Sequence, residues 1–343
     1  MGYRLGGRAA DTTGVTADLA TPAAHSAEGL ASPDVTSADL PSLLAAGEHA
    51  AFHGRPAAAV ASLEQAVVLA QSQGLHAEMA AAAWLLGVAL GAEGRYGAAL
   101  TVLSPLVESG NADGAAADRR LFGALAGSTI ASIQRQLGRH AIAREADLAA
   151  LDLTDGTGEA AFDAVLGLAS DAVGLDDLDE ANARLEEAEA LLPTKVDEWW
   201  RQRVRLGWAT AEVALLEGRM EDAAAEASDA VQRAEDARAP RHVAKGLLLL
   251  GLAQVSLGLP EAVTTLRRAA TFAESLGVLP LIWPSRALLG ALLAESGEPS
   301  DATEAVRSLS AARSAVLAIA GDLPPGVRAE WLGRPDITAL LEG

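Results

Sequence analysis

The residues best suited to binding chemistry stand in the ten-residue stretch 199–208, Trp-Trp-Arg-Gln-Arg-Val-Arg-Leu-Gly-Trp, which holds three of the six tryptophans and three arginines. Tryptophan and arginine dominate protein–protein hot spots, since the indole buries a large area and the guanidinium makes charge-assisted hydrogen bonds. The stretch therefore predicts a contact surface for a protein or peptide. The alternative is that these tryptophans pack between neighbouring helices.

Two histidines, His49 and His53, stand four residues apart in a segment with a helical pattern, so both imidazoles share one helix face. Zinc can bridge this spacing. The glutamate of an H-E-x-x-H motif is missing between them, however, and no third ligand is evident. The pair therefore favours two polar residues near a turn, and we expect no metal site.

Two further motifs suggest chemistry and are better explained by helix ends. Residues 156–161 fit G-x-G-x-x-A, but they follow a predicted helix, whereas a dinucleotide fingerprint follows a strand. Residues 176–180 are acidic, which suits a helix start, and lack the glycine and final glutamate of a calcium loop. With no G-x-S-x-G and no arguable Ser-His-Asp set, we expect no enzyme activity and no cofactor.

Composition restricts the partners. The chain has 46 Asp and Glu against 26 Lys and Arg, a formal net charge of −20, which repels phosphate backbones and anionic lipid surfaces. Direct nucleic-acid or membrane binding is therefore not expected. The absence of cysteine excludes disulfides and thiolate chemistry, and no signal-peptide or transmembrane pattern occurs, so we predict a cytoplasmic protein.

A repeat of two helices organises the chain. Glycines or their equivalents recur at intervals of 38 to 44 residues, at Gly54, Gly94, Gly138, Asp176, Gly218, Gly258 and Gly297. Seven residues before each stands a small residue: Gly47, Gly87, Ala131, Ala169, Ala211, Gly251 and Gly290. An alanine follows each turn by five residues, or four in the sixth unit. Glycine allows the chain to reverse, and small residues allow two helices to cross closely.

The second unit resembles the tetratricopeptide repeat (TPR) signature, with its turn glycine and second-helix alanine, at Leu86, Gly87, Leu90, Gly94, Tyr96, Ala99 and Leu103. The resemblance extends over residues 38–320, although the period near 40 exceeds the usual 34. Such longer helices are similar to the superhelices in sensor regions of bacterial signal-transduction ATPase regulators. Those regulators carry a phosphate-binding loop, and no G-x-x-x-x-G-K-[ST] occurs here.

The resemblance implies an all-α, TPR-like solenoid, a right-handed superhelix of about seven helix-turn-helix units. We expect a disordered leader over residues 1–37, the repeat array over 38–320 and a helical cap over 321–343. The first helices would line a concave groove. The alignment places nine residues on it: Trp84, Ser128, Ser132, Arg135, Arg205, Trp208, Glu212, Lys245 and Leu248.

Two functions are compatible with this interpretation. The first is a non-catalytic interaction module, an adaptor or scaffold that binds a protein or peptide in the groove. The second is a sensor that responds to a ligand or peptide and acts with a separate transcription factor or signalling partner. The groove lacks the paired Lys and Asn set of TPR domains that hold chaperone C-termini, which argues against that role. The sequence predicts neither the partner nor the oligomeric state.

Overall fold

The computed structural model describes residues 39–195 and 198–343, and every regular element within them is an α-helix. The predicted leader lies outside the described residues. None of the described helices is long and apolar enough to cross a lipid bilayer. The helices are α1 (Leu40–His53), α2 (Pro56–Gln73), α3 (His76–Glu93), α4 (Tyr96–Gly110), α5 (Ala117–Gln136), α6 (His140–Asp152), α7 (Gly158–Gly174), α8 (Leu178–Ala190), α9 (Trp200–Leu216), α10 (Met220–Asp236), α11 (Pro240–Ser256), α12 (Glu261–Leu276), α13 (Leu279–Glu295), α14 (Pro299–Asp322), α15 (Pro325–Leu332) and α16 (Pro335–Glu342).

The helices α1 to α14 form seven consecutive antiparallel pairs, which confirms the predicted repeat. Six of the seven turn residues have positive φ, from 60° to 85°. The non-glycine among them, Asp176, has φ 60°, and aspartate tolerates this left-handed region better than most side chains do. The first turn differs, because Gly54 has φ −128° and does not use the left-handed conformation.

Small residues let each first helix approach its partner. A methyl group added at Gly87 would collide with the Leu103 side chain of α4, and Gly47, Gly251 and Gly290 meet leucines of their own partner helices in the same way. Ala99, on the opposite side of the same crossing, has no exposed surface. Overpacking such a position forces the side chains off their rotamers or moves the backbone.

We expect the substitution Ala99→Leu to lower the free energy of unfolding by about 1–3 kcal/mol, because the added atoms have no space between α3 and α4. Thermal and urea unfolding followed by circular dichroism measure the change. The control is Ala58→Leu on α2, where the alanine is exposed. A melting temperature of Ala99→Leu equal to that of the control would contradict the repeat alignment.

The first helices of the pairs form the inner layer of the superhelix. Each packs against the first helix of the next pair, from α1 on α3 through to α11 on α13. The layer also closes on itself, because α1 contacts α11 and α3 contacts α13, and outside this layer the second helices α4 and α14 meet as well. Successive superhelical turns are therefore stacked, and the early pairs meet the late ones.

The stacked turns are joined by hydrogen bonds, which we call the seam. The chain around the turns within the first three pairs meets the ends of the fifth, sixth and seventh pairs and the residues that follow them. The seam contacts are His53 Nδ1 to Ala237 O (3.0 Å), Arg55 Nε to Ser275 O (2.9 Å), Asp322 Oδ2 to the Gly97 (2.6 Å) and Ala98 (3.2 Å) amides, and Arg334 Nη1 to Gln136 O (3.0 Å). The carboxylate of Asp322 thus caps the start of α4, whose own N-cap residue supplies no side-chain bond.

Asp322→Ala is expected to remove this cap at a cost of about 1 kcal/mol, since the amides of Gly97 and Ala98 lose their acceptor. Hydrogen exchange of these two amides should accelerate, while the amides that start α2 should exchange as in the unmodified protein. Unchanged exchange at Gly97 and Ala98 would contradict the seam.

Candidate functional site

An aromatic row crosses the interior where the superhelical turns meet. His49 stacks on His53 at 5.3 Å between ring centroids, and His53 lies 5.2 Å from Trp200. Trp200 contacts His242 edge-on at 5.0 Å, and His242 stacks on Trp208 at 5.3 Å. The row therefore links α1, α9 and α11, and places two of the tryptophans that the sequence singles out beside three histidines.

The third of these tryptophans has a packing role. Trp199 has φ 55°, a strained conformation for a bulky residue, at the residue before α9. Its ring packs edge-on against Phe162 of α7 at 6.3 Å, whereas Trp200 belongs to the aromatic row. All three rings pack against buried residues of neighbouring helices, Trp199 against those of α7 and both Trp200 and Trp208 against those of α10 and α11. The contact surface for a partner stays a prediction.

Beside the row lies a cavity of about 220 Å³ between α1, α3, α7 and α9. Its wall combines rings with charged groups, among them Phe52, His53, Trp84, Glu159, Trp200 and Arg201. The guanidinium of Arg201 lies 5.4 Å from the centroid of the Phe52 ring, a cation–π contact. A volume of this size accommodates a side chain or a short segment of peptide rather than a folded partner.

Ion pairs connect the inner faces of α7 and α9. Asp163 accepts from Arg201 at 2.9 Å and also from Arg205, and Glu159 accepts from Gln202 at 2.7 Å. Burial opposes ionisation of Asp163, but the charges of Arg201 and Arg205 outweigh it and hold the pKa of this carboxyl below its usual range. Burial raises the pKa of Glu159, and the nearby Arg201 offsets only part of the effect.

A second charged cluster lies between α5, α6 and α7. Arg135 Nη1 is 2.5 Å from Asp147 Oδ2 and 3.0 Å from Asp171 Oδ1, and neither carboxylate has exposed side-chain surface. Burial raises the pKa of Asp147 to about 7, although Arg135 acts against it. Burial also raises the pKa of Asp171. Two carboxylates with one guanidinium carry an excess negative charge, so this pair holds a proton more tightly than an exposed aspartate does.

The nine residues predicted for the groove divide into two groups. In the later pairs, Glu212 of α9 accepts from Lys245 Nζ of α11 at 2.7 Å, and Trp208 stacks on His242 of α11. Arg205 faces the other way and pairs with Asp163 of α7. In the earlier pairs, Trp84 is buried and donates to Thr129 Oγ1 at 3.2 Å, and Arg135 is held by its two aspartates. Ser128 is buried, and Ser132 and Leu248 are partly buried. Their assignment to partner binding stays a prediction.

Sequence reasoning missed four residues of this interior: Glu159, Asp163, Arg241 and His242. His242 in particular carries no motif, yet it is buried between two tryptophans. The repeat period contained the signal, since Arg241 stands in α11 where Arg201 stands in α9, each 17 residues before the turn glycine of its pair.

The remaining motifs occupy helix ends. Residues 156–161 form the loop and first turn of α7, after helix α6, as the sequence favours. The Asp177 carboxylate accepts from the Glu180 amide at 3.0 Å and caps α8. Among residues 39–195 and 198–343, no three His, Cys, Asp or Glu side chains come together as a metal site.

Comparison with known proteins identifies structures of similar fold. No protein-family model matches the chain, and no curated protein matches it. Among solved structures, a Rap protein complexed with competence and sporulation factor superposes with a TM-score of 0.60 at 13% identity, over 88% of this chain and 86% of that chain. The Rap conjugation gene regulator of plasmid pLS20, in complex with the Phr* peptide, superposes with a TM-score of 0.62 at 16% identity, over 87% and 82% of the two chains. The chain therefore has the TPR-type helical repeat fold that its sequence predicts.

Proposed function

We propose that this chain is a non-catalytic module that binds a peptide, or a peptide segment of a protein, on the inner layer of its superhelix. The observation that carries the proposal is the aromatic row with its adjoining cavity, because rigid rings beside paired charges are the usual anchors of peptide binding. The two Rap proteins of similar fold support it, since one is in complex with the Phr* peptide and the other with competence and sporulation factor.

The binding residues would come mainly from α9 and α11. Trp208 offers a partly buried ring, and its indole Nε1 makes no hydrogen bond within the described chain. The neighbouring Glu212–Lys245 pair is partly exposed and can exchange partners with a peptide. Trp84, which lines the cavity, and Arg205 would add to this surface. A cytoplasmic location and the absence of nucleic-acid or membrane binding remain predictions.

The test is equilibrium dialysis of the full chain against a random heptapeptide pool, with bound peptides quantified by mass spectrometry. The variant Trp208→Ala should retain at least tenfold less peptide than the unmodified protein. The control Trp283→Ala removes a tryptophan of α13 that packs on Trp331, outside the row. Circular dichroism establishes that all three are equally folded. Equal retention by Trp208→Ala and the control would overturn the assignment.

A second candidate function, a peptide-responsive regulator, is favoured by the seam. The row passes through His53 of α1, so an occupant that displaces this ring also acts on the hydrogen bond to Ala237 that joins the superhelical turns. Binding would thereby change the pitch and alter the outer surface offered to a separate partner. Small-angle scattering with and without retained peptides tests this: an unchanged radius of gyration would contradict it.

A further inference from the structure

Charged residues recur at equivalent positions in the fourth, fifth and sixth pairs. Glu159, Arg201 and Arg241 each stand 17 residues before the turn residue of their pair, at the second position of α7, α9 and α11. Because these helices pack side by side in the inner layer, the three side chains form a row across it. A parallel row, four residues further along each helix, consists of Asp163, Arg205 and Lys245.

Acidic neighbours compensate most of the cations in these rows. Arg201 and Arg205 share Asp163, and Arg201 also lies 3.9 Å from Glu159. Lys245 is paired with Glu212. Arg241 differs from them, because within the described chain it makes neither a hydrogen bond nor an ion pair, and its Nε is enclosed without an acceptor.

The position of Arg241 is unfavourable for a cation. It is partly buried, lies in the first turn of a helix where the dipole repels positive charge, and lies near two other guanidiniums. Burial, followed by the charges of Arg201 and Arg205, lowers the pKa of Arg241 to about 10. A chain of net charge −20 nevertheless places this uncompensated positive charge in its interior. An anion beside Arg241 would relieve all three effects at once.

The surroundings of Arg241 favour an anion that is part of a larger molecule. The next residue, His242, is wedged between the rings of Trp200 and Trp208, and the positive charge of Arg241 helps to lower the pKa of His242, so the guanidinium lies near the aromatic row. The rings would contact apolar groups of an occupant, and the planar guanidinium suits bidentate contact with a carboxylate. We propose that Arg241 is the receptor for a carboxylate of the bound peptide, with Trp200 and Trp208 contacting the residues next to it.

This inference rests on the proposed peptide-binding function. It covers two sources of the carboxylate, the peptide C-terminus and an Asp or Glu side chain, and the test distinguishes them. The probes are N-acetylated heptapeptide pools of uncharged residues, prepared in four forms. These have a free C-terminal carboxylate, a C-terminal amide, an amide with one fixed central Glu, or an amide with one fixed central Lys.

Each pool is dialysed against the unmodified chain, Arg241→Gln and Arg233→Gln. The last variant removes the same charge from an exposed position on α10. We expect the unmodified chain and Arg233→Gln to retain a carboxylate pool at least tenfold better than the uncharged and lysine pools. Arg241→Gln should lose this preference, because the charge-assisted pair is worth at least that factor.

The free-acid pool identifies a C-terminal carboxylate, and the glutamate pool a side-chain carboxylate. Equal retention of the carboxylate pools by Arg241→Gln and Arg233→Gln would overturn the receptor role of Arg241. Equal retention of all four pools by the unmodified chain would overturn it as well. Both results leave peptide binding intact. Retention of none of the four pools would instead remove the proposed function and this inference with it. The melting temperature of Arg241→Gln without peptide should equal or exceed that of the unmodified chain, whereas a merely structural arginine would lower it.

Discussion

Replacing Arg135 with methionine is expected to lower the free energy of unfolding by about 3–5 kcal/mol at pH 8. The reason is that this guanidinium, with Nη1 2.5 Å from Asp147 and 3.0 Å from Asp171, is the cation that both buried carboxylates contact. Without it, folding would have to bury two like charges or keep both carboxyls protonated, and only the second choice is cheap at low pH, because its cost rises with pH. The loss should therefore be smaller at pH 5 than at pH 8.

The matched control for this variant is Arg219→Met. Arg219 also lies between two carboxylates, those of Glu217 and Asp222, but on the exposed surface at the start of α10. Surface pairs of this kind contribute little to stability, because water screens them and the side chains lose entropy. Urea unfolding of both variants at pH 5 and pH 8 measures the difference. Similar losses in the two variants would show that burial does not strengthen the Arg135 cluster.

A rescue experiment separates lost packing from lost charge. If Arg135→Met destabilises the chain by leaving carboxylates unpaired, then adding Asp147→Asn and Asp171→Asn should recover much of the loss, since no buried charge remains. If the loss comes from the packing of the arginine stem, the added substitutions should make the variant still less stable. The two explanations therefore predict opposite signs for the same measurement.

The pairing of the helices could be predicted from the sequence because it is local. Gly94 needs positive φ, and Gly87 must admit the Leu103 side chain, so each unit encodes its own reversal and its own crossing. Even the one turn without glycine was found by its spacing, and Asp176 adopts the left-handed conformation that the position requires. Because these local signals repeat along the chain, they predict the whole series of helix pairs.

The interior could be predicted only in part, because its contacts depend on the pitch of the superhelix. His53 lies 184 residues from Ala237 along the chain, and no local pattern states that the first and fifth pairs meet. Arg135 belongs to the inner helix α5, and its partner Asp147 comes from the second helix of its own pair and Asp171 from the next pair. Periodicity predicts the face on which a side chain lies, and the choice among partners on that face requires three-dimensional geometry.

Two buried groups are expected to give the stability of this chain opposing dependences on pH. On folding, burial raises the pKa of Asp147 from its ordinary 3.8 to about 7. Between pH 4 and 7, the folded protein therefore binds a proton that the unfolded chain has released. Stability from this group is lost as the pH rises through that range. The pKa of His242 in the folded protein lies well below its ordinary 6.5, first because the side chain is buried and then because of the charge of Arg241. His242 therefore stays neutral in the folded protein, whereas in the unfolded chain it takes up a proton below pH 6.5. Stability from His242 is lost as the pH falls.

Because each group contributes a slope of about 1.4 kcal/mol per pH unit within its range, the slopes from Asp147 and His242 oppose each other between pH 5 and 6.5 in the unmodified chain. In the variant Asp147→Asn, the pH dependence of stability that comes from His242 should remain without its opponent. Its urea midpoint should therefore fall as the pH is lowered from 6.5 to 5. Burial lowers the pKa of His53 and His140 as well, so these two add to the same slope.

His242→Phe should have the opposite effect, because phenylalanine preserves the ring between Trp200 and Trp208 and takes up no proton. Its urea midpoint should rise, or fall less than that of the unmodified chain, over the same pH range. His76→Phe, at the exposed start of α3, serves as the control and should follow the unmodified chain. Parallel pH profiles for Asp147→Asn and His242→Phe would show that neither group titrates differently in the folded and unfolded states, and the charge assignments of both interior clusters would have to be abandoned.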